Sequence, residues 1–377
     1  MQPAGRWRIR VEGHWKLKIR RIRIERRAIG LKPPFLPAWD PSPRKEFEAT
    51  LVFVETDEGI TGIGSGDTMD GFGRYEHLFL REDPLDIDRH VRVLETIAFH
   101  AGRYWPLEAA LWDLCGKAEG KPVAKLLGGA LTRIPAYAST ADRRGPEERA
   151  ESALALREEH FKALKIRIDR ERVEEGMAAV SAVREAVGDT MEIMVDLNQG
   201  WRMAGDISPA LPRAEVGRLA ERLRDLDVLW LEEPLPREDI AGYAALRADG
   251  APRIAGGEMA RTTAELEAFE AAGALDVYQP DAVLAVGLLR AAEIGRRVLS
   301  RGPWFTPHTW TNGIGLLANL HVTAGVGGGP YLEFPYDPPG WTPERRDFML
   351  AEPIRVDWDG HLVVPDAPGL GFDLADD

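Results

Sequence analysis

The stretch Phe161-Lys-Ala-Leu-Lys-Ile-Arg-Ile-Asp169 alternates polar and apolar residues, the period of a β-strand. Lys165 and Arg167 share one face and Leu164, Ile166 and Ile168 the other, so two cations point together toward something anionic. Downstream, short apolar runs each close on one acidic or imidazole residue: Met194-Val195-Asp196, Leu229-Trp230-Leu231-Glu232, Ile254-Ala255-Gly256-Gly257-Glu258, Val277-Tyr278-Gln279-Pro280-Asp281, Trp304-Phe305-Thr306-Pro307-His308 and Tyr331-Leu332-Glu333. When parallel strands close into a (β/α)8 barrel, their C-terminal ends converge on one rim, and that rim is where such enzymes work. Strand and helix patterns alternate as this requires: Ile134–Ser139, a helix from Pro146, Ala163–Ile168, a helix over Arg172–Val187, Glu192–Asp196, a helix over Ala214–Arg224, and onward.

Before the barrel the pattern differs. Trp7 to Val54 reads with period two, with Glu12-Gly13 as a tight turn between Trp7–Val11 and Trp15–Ile24. Lys32 to Arg44 carries five prolines and Trp39, a loop long enough to serve as a lid over a pocket. Asp57-Glu58-Gly59 turns into Ile60–Gly64, and the glycine-rich Ser65 to Gly73 forms a second loop that closes from the other side. Helical spacing follows over Pro84–Ala98 and Tyr104–Glu119 until Gly128-Gly129 stops it, which places a domain boundary near residue 130. The tail from Pro353 to Pro365, with Asp359-Gly360 as a turn, reads as one more hairpin.

A length of 377 residues suits one small domain plus a barrel. The net charge of −13 argues against a nucleic-acid or anionic-membrane surface. The one basic run, Arg6 to Arg27, alternates with apolar residues and reads as a solvated strand face. No apolar run is long enough for a signal segment or a membrane span, so a soluble, cytoplasmic protein is expected. The single cysteine, Cys115, permits no internal disulfide and falls in a helical pattern as a small buried residue. Nine of the 48 basic residues are lysine, and Lys165 is the last of them. Retention of an ammonium at that inward position, in a chain that uses arginine nearly everywhere, hints that its chemistry matters there.

Asp196, Glu232 and Glu258, carried on successive strands, would repel one another in a dry site, and a divalent cation is the ordinary solution. All-oxygen ligands without Cys or His favour a hard ion, hence Mg2+ over Zn2+. Asp281 and His308 close the next two strands; an aspartate bonded to an imidazole fixes its tautomer and raises its basicity, giving a general base suited to neutral pH. Glu333 completes the ring from the eighth strand.

These residues resemble the enolase superfamily, and within it the mandelate racemase-like subgroup. Ala109-Ala-Leu-Trp-Asp-Leu-Cys-Gly-Lys-Ala-Glu-Gly-Lys-Pro122 with Leu126-Leu-Gly-Gly129 looks like the family's domain-junction signature. Val195-Asp-Leu-Asn198 resembles its first metal strand, Leu231-Glu-Glu-Pro234 its second and Gly257-Glu258 its third. The resemblance implies an α/β fold: a modified (β/α)8 TIM barrel over residues 131–350, an N-terminal α+β capping domain over 1–130, and a C-terminal segment, 351–377, that returns to close it. It implies one Mg2+ per subunit on Asp196, Glu232 and Glu258, a His308–Asp281 base, an acid-sugar or other α-hydroxy-carboxylate substrate, and a homo-oligomer. A Lys or His base with Mg2+ is a known pattern of that superfamily.

One position departs from the family. Its second strand carries Lys-x-Lys with the second lysine able to act as a base, whereas here Lys165-Ile-Arg167 stands. Arginine stays protonated, so it is a poor proton acceptor and a good clamp for a carboxylate or an oxyanion. The superfamily's lactonising and dipeptide-epimerising branch uses a lysine on the sixth strand, and no lysine follows residue 165. The expected activity is dehydration of an acid sugar to a 2-keto-3-deoxy acid, with Glu333 assisting His308, and specificity in Trp39, Asn198, Trp310 and Asn312 together with the two loops. A racemase or epimerase using Lys165 as a second base is the alternative enzyme; a non-catalytic carboxylate-binding protein on the same fold is the alternative of another class.

Overall fold

In the computed structural model, which describes residues 17–250 and 252–376, the chain opens with an antiparallel sheet of β1 (Ile19–Phe35), β2 (Arg44–Thr56) and β3 (Thr61–Ser65). The first arm and turn of the hairpin expected around Glu12-Gly13 fall outside the described residues. β1 runs further than its prolines suggest: residues 32–35 stay in the strand, and the loop expected over 32–44 shortens to 36–43. Two 3-10 turns, Phe72–Arg74 and Glu76–Leu78, lead into α1 (Ile87–His100), α2 (Trp105–Glu119) and the short α3 (Val123–Leu126). The loop expected over 65–73 is anchored at its far end, where Phe72 is buried against Phe79 and Tyr104.

α2 packs directly on β3, and the glycines of Thr61-Gly-Ile-Gly-Ser65 explain how. A Cβ on Gly62 would lie 2.0 Å from the Ala110 carbonyl oxygen, and one on Gly64 would lie 2.2 Å from that of Pro106. Only glycine lets helix and strand backbones approach so closely. Cys115, on the same helix, is buried as expected.

The second unit alternates strand and helix: β4 (Arg133–Ser139), α4 (Pro146–Glu158), β5 (Ala163–Arg167), α5 (Val173–Val187), β6 (Glu192–Asp196), α6 (Arg213–Asp225), β7 (Val228–Glu232), α7 (Ile240–Ala248), β8 (Arg253–Gly256), α8 (Thr263–Ala271), β9 (Val277–Tyr278), α9 (Leu288–Leu299), β10 (Trp304–Phe305), α10 (Gly313–Val326) and β11 (Leu332–Pro335). The parallel ladder runs β10-β9-β8-β7-β6-β5-β4-β11. Between β10 and β11 no ladder forms; they are joined by the Phe305–Gly329 bridge and by Thr306 Oγ1 donating to the Tyr331 carbonyl at 2.7 Å. The barrel is therefore modified at that seam. Tyr137, Ala163, Met194, Trp230, Ala255 and Val277 fill its interior, with Tyr137 and Trp230 edge to face at 5.3 Å. This apolar plug is the floor on which the charged rim stands; truncating a tryptophan so placed costs about 3–5 kcal/mol.

After α11 (Pro343–Arg346) the tail does not make the hairpin expected over Pro353–Pro365. β12 (His361–Val363) pairs antiparallel with β4 instead, with His361 opposite Pro135. The turn at Asp359-Gly360 does form, but β4 offers a free edge on the far side of its N-terminal half, and β12 takes it. The tail then crosses to the first unit. Val123 N donates to the Gly369 carbonyl at 3.0 Å and Leu370 N to Asp113 Oδ1 at 2.8 Å. Buried His321 accepts from Ala124 N at 3.1 Å and donates to the Leu370 carbonyl at 3.1 Å, tying α3, α10 and the tail; burial lowers its pKa to about 4, which keeps it neutral. Among the described residues no helix is long and apolar enough to cross a membrane.

Candidate active site

Strand register sets the rim. Arg167 on β5 is aligned with Asp196 on β6, and Asp196 with Glu232 on β7, so a cation and two carboxylates stand side by side. Glu258 follows β8 after Gly257, whose φ of +94° turns the chain to bring it in. Ligand atoms of Asp196, Glu232 and Glu258 all lie within 4.8 Å of one another, and all three side chains are buried. Burial, first, and repulsion among neighbouring carboxylates push all three pKa values up, against Arg167 and Lys165 at Asp196, Lys165 at Glu232, and His308 at Glu258. Trp201 Nε1 donates to Glu258 Oε1, while Glu258 Oε2 is buried with no hydrogen-bond partner. A hard, all-oxygen donor set with an unmatched buried oxygen fits Mg2+.

Lys165 sits beneath this rim, fully buried, in an ion pair with Glu232, in another with Glu333 at 2.8 Å, and 3.7 Å from Asp196. Burial disfavours its charge, but the three carboxylates outweigh that and raise its pKa. Arg167 bonds Asp196, Asn198 Oδ1 at 2.7 Å and the Thr140 carbonyl at 3.0 Å. Burial opposes its charge too, and Asp196 and its neighbours restore it.

His308 Nδ1 donates to Asp281 Oδ2 at 2.9 Å, which leaves Nε2 as the proton-accepting atom. Asp281 is itself fixed, its Oδ1 accepting from Val283 N, Leu284 N and Asn319 Nδ2 at 2.7, 3.0 and 3.2 Å. Burial would lower the His308 pKa, yet Glu258, Glu333 and Asp281 raise it to about 9. A cavity of about 370 Å3 is lined by His308, Glu258, Arg167, Asn198, Trp39 and Trp310, among others.

Of the twelve expected site residues, six line this cavity, Trp39, Arg167, Asn198, Glu258, His308 and Trp310, while Asn312, Glu333 and Asn198 are engaged by neighbouring groups in ways the sequence did not suggest. Asn312 does not line the cavity: it is buried, its Oδ1 caps α10 by accepting from Ile314 N and Gly315 N at 3.1 and 3.2 Å, and its Nδ2 bonds Ser65 at 2.8 Å. Asn is among the preferred helix-capping residues, and that use occupies its Oδ1. Glu333 has both oxygens occupied, by Ser139 and Lys165 at one and Thr309 N at the other. Despite burial, Lys165, His308 and Arg167 hold its pKa down to about 2, and its ion pair holds Lys165 in place. Asn198 lines the cavity but spends its amide on Asp196, donating from Nδ2 at 3.0 Å. Sequence reasoning passed over Gln279, which donates to Glu232 Oε2 at 2.8 Å, and Glu233, buried beside the triad with its pKa pushed well up by burial and by Glu258. Gln279 lies inside the quoted run that closes on Asp281, and Glu233 directly follows Glu232.

Comparison with known proteins is decisive at family level. The family described as Enolase C-terminal domain-like matches residues 148–377. The chain belongs to the enolase superfamily. Within this superfamily it falls in the mandelate racemase-like subgroup. It is 32% identical over 273 residues to the arabinonate dehydratase of Saccharolobus solfataricus, spanning 72% of this chain and 69% of that protein. It is 29% identical over 345 residues to the D-galactarolactone cycloisomerase of Agrobacterium fabrum, spanning 86% and 88%. A racemase from Streptomyces coelicolor A3(2), solved with bound magnesium, superposes with a TM-score of 0.80 at 26% identity, over 94% of this chain and 97% of that one. The protein is therefore an enolase-superfamily enzyme, and its relatives include dehydratases, cycloisomerases and racemases.

Proposed function

We propose that this enzyme dehydrates an acid sugar to a 2-keto-3-deoxy acid, with His308 as the base. The observation that carries this reading is the His308–Asp281 bond at 2.9 Å on the wall of the same cavity as Glu258. Asp196, Glu232 and Glu258 would hold Mg2+, which when bound supplies stabilisation of negative charge on the substrate carboxylate. Lys165 and Arg167 add fixed positive charge to that end of the cavity, preorganised by Glu333 and by Asn198 and Thr140. His308 Nε2 takes the α-proton, and the electron pair left behind is delocalised into the carboxylate as an enediolate. The imidazolium then returns that proton to the β-hydroxyl, which leaves as water, and the resulting enol ketonises. One base suffices, consistent with a Lys165 ammonium engaged by Glu232 and Glu333 rather than free to accept a proton.

The relatedness to a cycloisomerase over 86% of the chain favours one second reading. There the same proton abstraction expels a ring oxygen that stays attached, giving an isomer without loss of water. A screen of acid sugars and their lactones with the Mg2+-loaded protein, read by NMR with His308→Asn as the blank, tests both. A 2-keto-3-deoxy product supports dehydration; an isomeric product of unchanged mass supports the second reading; turnover that His308→Asn retains contradicts both.

A further inference from the structure

Arg103 follows α1 and reaches from the first unit into the barrel between the loops that carry Glu258 and Asp281. Its side chain is 11% exposed. Among the described residues its partners are all distant: the Ala260 and Ala285 carbonyls at 3.5 Å each and Asp67 Oδ2 at 3.8 Å. A guanidinium carries five N–H donors, and bonds at that range satisfy them poorly. The contrast with Arg167 is plain, since Arg167 has firm bonds to Asp196, Asn198 and Thr140. Arg44, the third arginine on the cavity, is paired through Nε with Asp40 at 2.9 Å.

Position adds to this. Arg103 and Asp67 line the reaction cavity and also a neighbouring one of about 640 Å3, whose walls include Arg261, Thr262, Glu95 and Phe99. Glu95 is spent on Arg290, with bonds of 2.7 and 3.1 Å. Burial, Arg261 and Arg237 disfavour the charge of Arg103, against Asp67 and Asp281, which favour it. Asp67, 34% exposed on the loop after β3, is the weak counter-ion that a better one would displace.

We infer that Arg103 is a specificity residue that binds a second anionic group of the substrate, so that the acid sugar is a diacid: one carboxylate at the Asp196–Glu232–Glu258 end, the other bidentate on Arg103 in place of Asp67. A carboxylate matches the guanidinium fork in shape and charge, which a neutral terminal hydroxymethyl group cannot do. This inference rests on the proposed acid-sugar chemistry, and the test separates the two.

The experiment compares aldonic and aldaric acids of matched configuration on the Mg2+-loaded enzyme, its Arg103→Gln variant and its Arg103→Lys variant. Wild type should prefer the diacid in kcat/KM. Arg103→Gln should lose about 100-fold on the diacid, mainly through KM, and stay within about threefold on the monoacid, as removal of a charge-assisted bidentate pair requires. Arg103→Lys should recover part of the loss. Equal losses on both substrates, or a wild-type preference for the monoacid, overturn the inference while leaving acid-sugar chemistry standing. If no acid sugar is turned over, calorimetric binding of the same pairs to Mg2+-loaded His308→Asn, with and without Arg103→Gln, decides. Diacid-selective binding that depends on Arg103 then supports the subsite alone, and binding indifferent to Arg103 overturns it.

Discussion

The Arg167 guanidinium lies 4.1 Å from the centre of the Trp39 ring, so the loop of residues 36–43 rests on the same cation that bonds Asp196. Trp39 also meets Trp310 edge to face at 4.8 Å, and Ala38 N donates to the Ala141 carbonyl at 2.8 Å. The position of this loop is thereby coupled to the orientation of a charged group in the cavity. Removing the ring in Trp39→Ala should lower kcat/KM about tenfold, from a lost cation–π contact and a wetter site. The melting temperature should move by less than about 3 °C, since the side chain is only half buried. Normal kinetics with a large melting shift would show Trp39 to be a packing residue only.

The carboxylate triad makes a charge argument that Glu258→Gln tests. The substitution keeps volume and the oxygen that accepts from Trp201, and removes one negative charge. Mg2+ affinity measured by calorimetry should fall about tenfold or more, and kcat should fall with it. Full activity of the wild type in metal-free buffer would contradict the assignment.

Mg2+ should shift the titration of His308. In the metal-free protein His308 has a pKa of about 9, with Glu258 its largest favourable neighbour. A cation engaging Glu258 removes that stabilisation of the imidazolium, so Mg2+ should lower the His308 pKa toward neutrality and leave more of it as the free base. Imidazole nitrogen shifts across a pH series, with and without Mg2+, measure this; a pKa unmoved by Mg2+ would separate His308 from the metal site.

Glu108 on α2 predicts a pH effect on stability. Its Oε1 accepts from Leu289 N at 2.7 Å, capping α9 from the other unit, and its Oε2 has no partner. Burial outweighs those bonds and raises its pKa from 4.5 to about 7. The folded state therefore binds a proton that the unfolded state releases, so the stability contributed is full below pH 4.5 and is lost as pH rises to about 7, a change of about 3 kcal/mol. Denaturant midpoints of wild type and Glu108→Gln, compared between pH 4.5 and 8, should diverge over that window. A constant difference would mean Glu108 is ionised throughout.

The sequence was readable where a side-chain period and a strand end coincide. Alternation over Phe161–Asp169 located Lys165 and Arg167, and single polar residues closing apolar runs located Asp196, Glu232, Glu258, Asp281 and His308. It was unreadable where one residue type serves two purposes. Asn312 beside Trp310 suggested a ligand contact, but helix capping uses the same amide, and nothing local separates the two. The Asp359-Gly360 turn was visible, whereas the partner of the strand after it depends on which edge of β4 is free. Arg103 carried no signal at all in a chain rich in arginine; its place between two loops follows only from how the first unit sits on the barrel.

One-base dehydration is tested most directly by α-proton exchange in D2O, followed by NMR on Mg2+-loaded wild type and His308→Asn with acid sugars of both α-configurations. The account predicts that His308→Asn loses exchange with every substrate, because Lys165, paired with Glu232 and Glu333, supplies charge and accepts no proton. Exchange surviving in His308→Asn for the opposite configuration, with a product that keeps all its hydroxyls, would contradict it and make Lys165 the second base of a racemase.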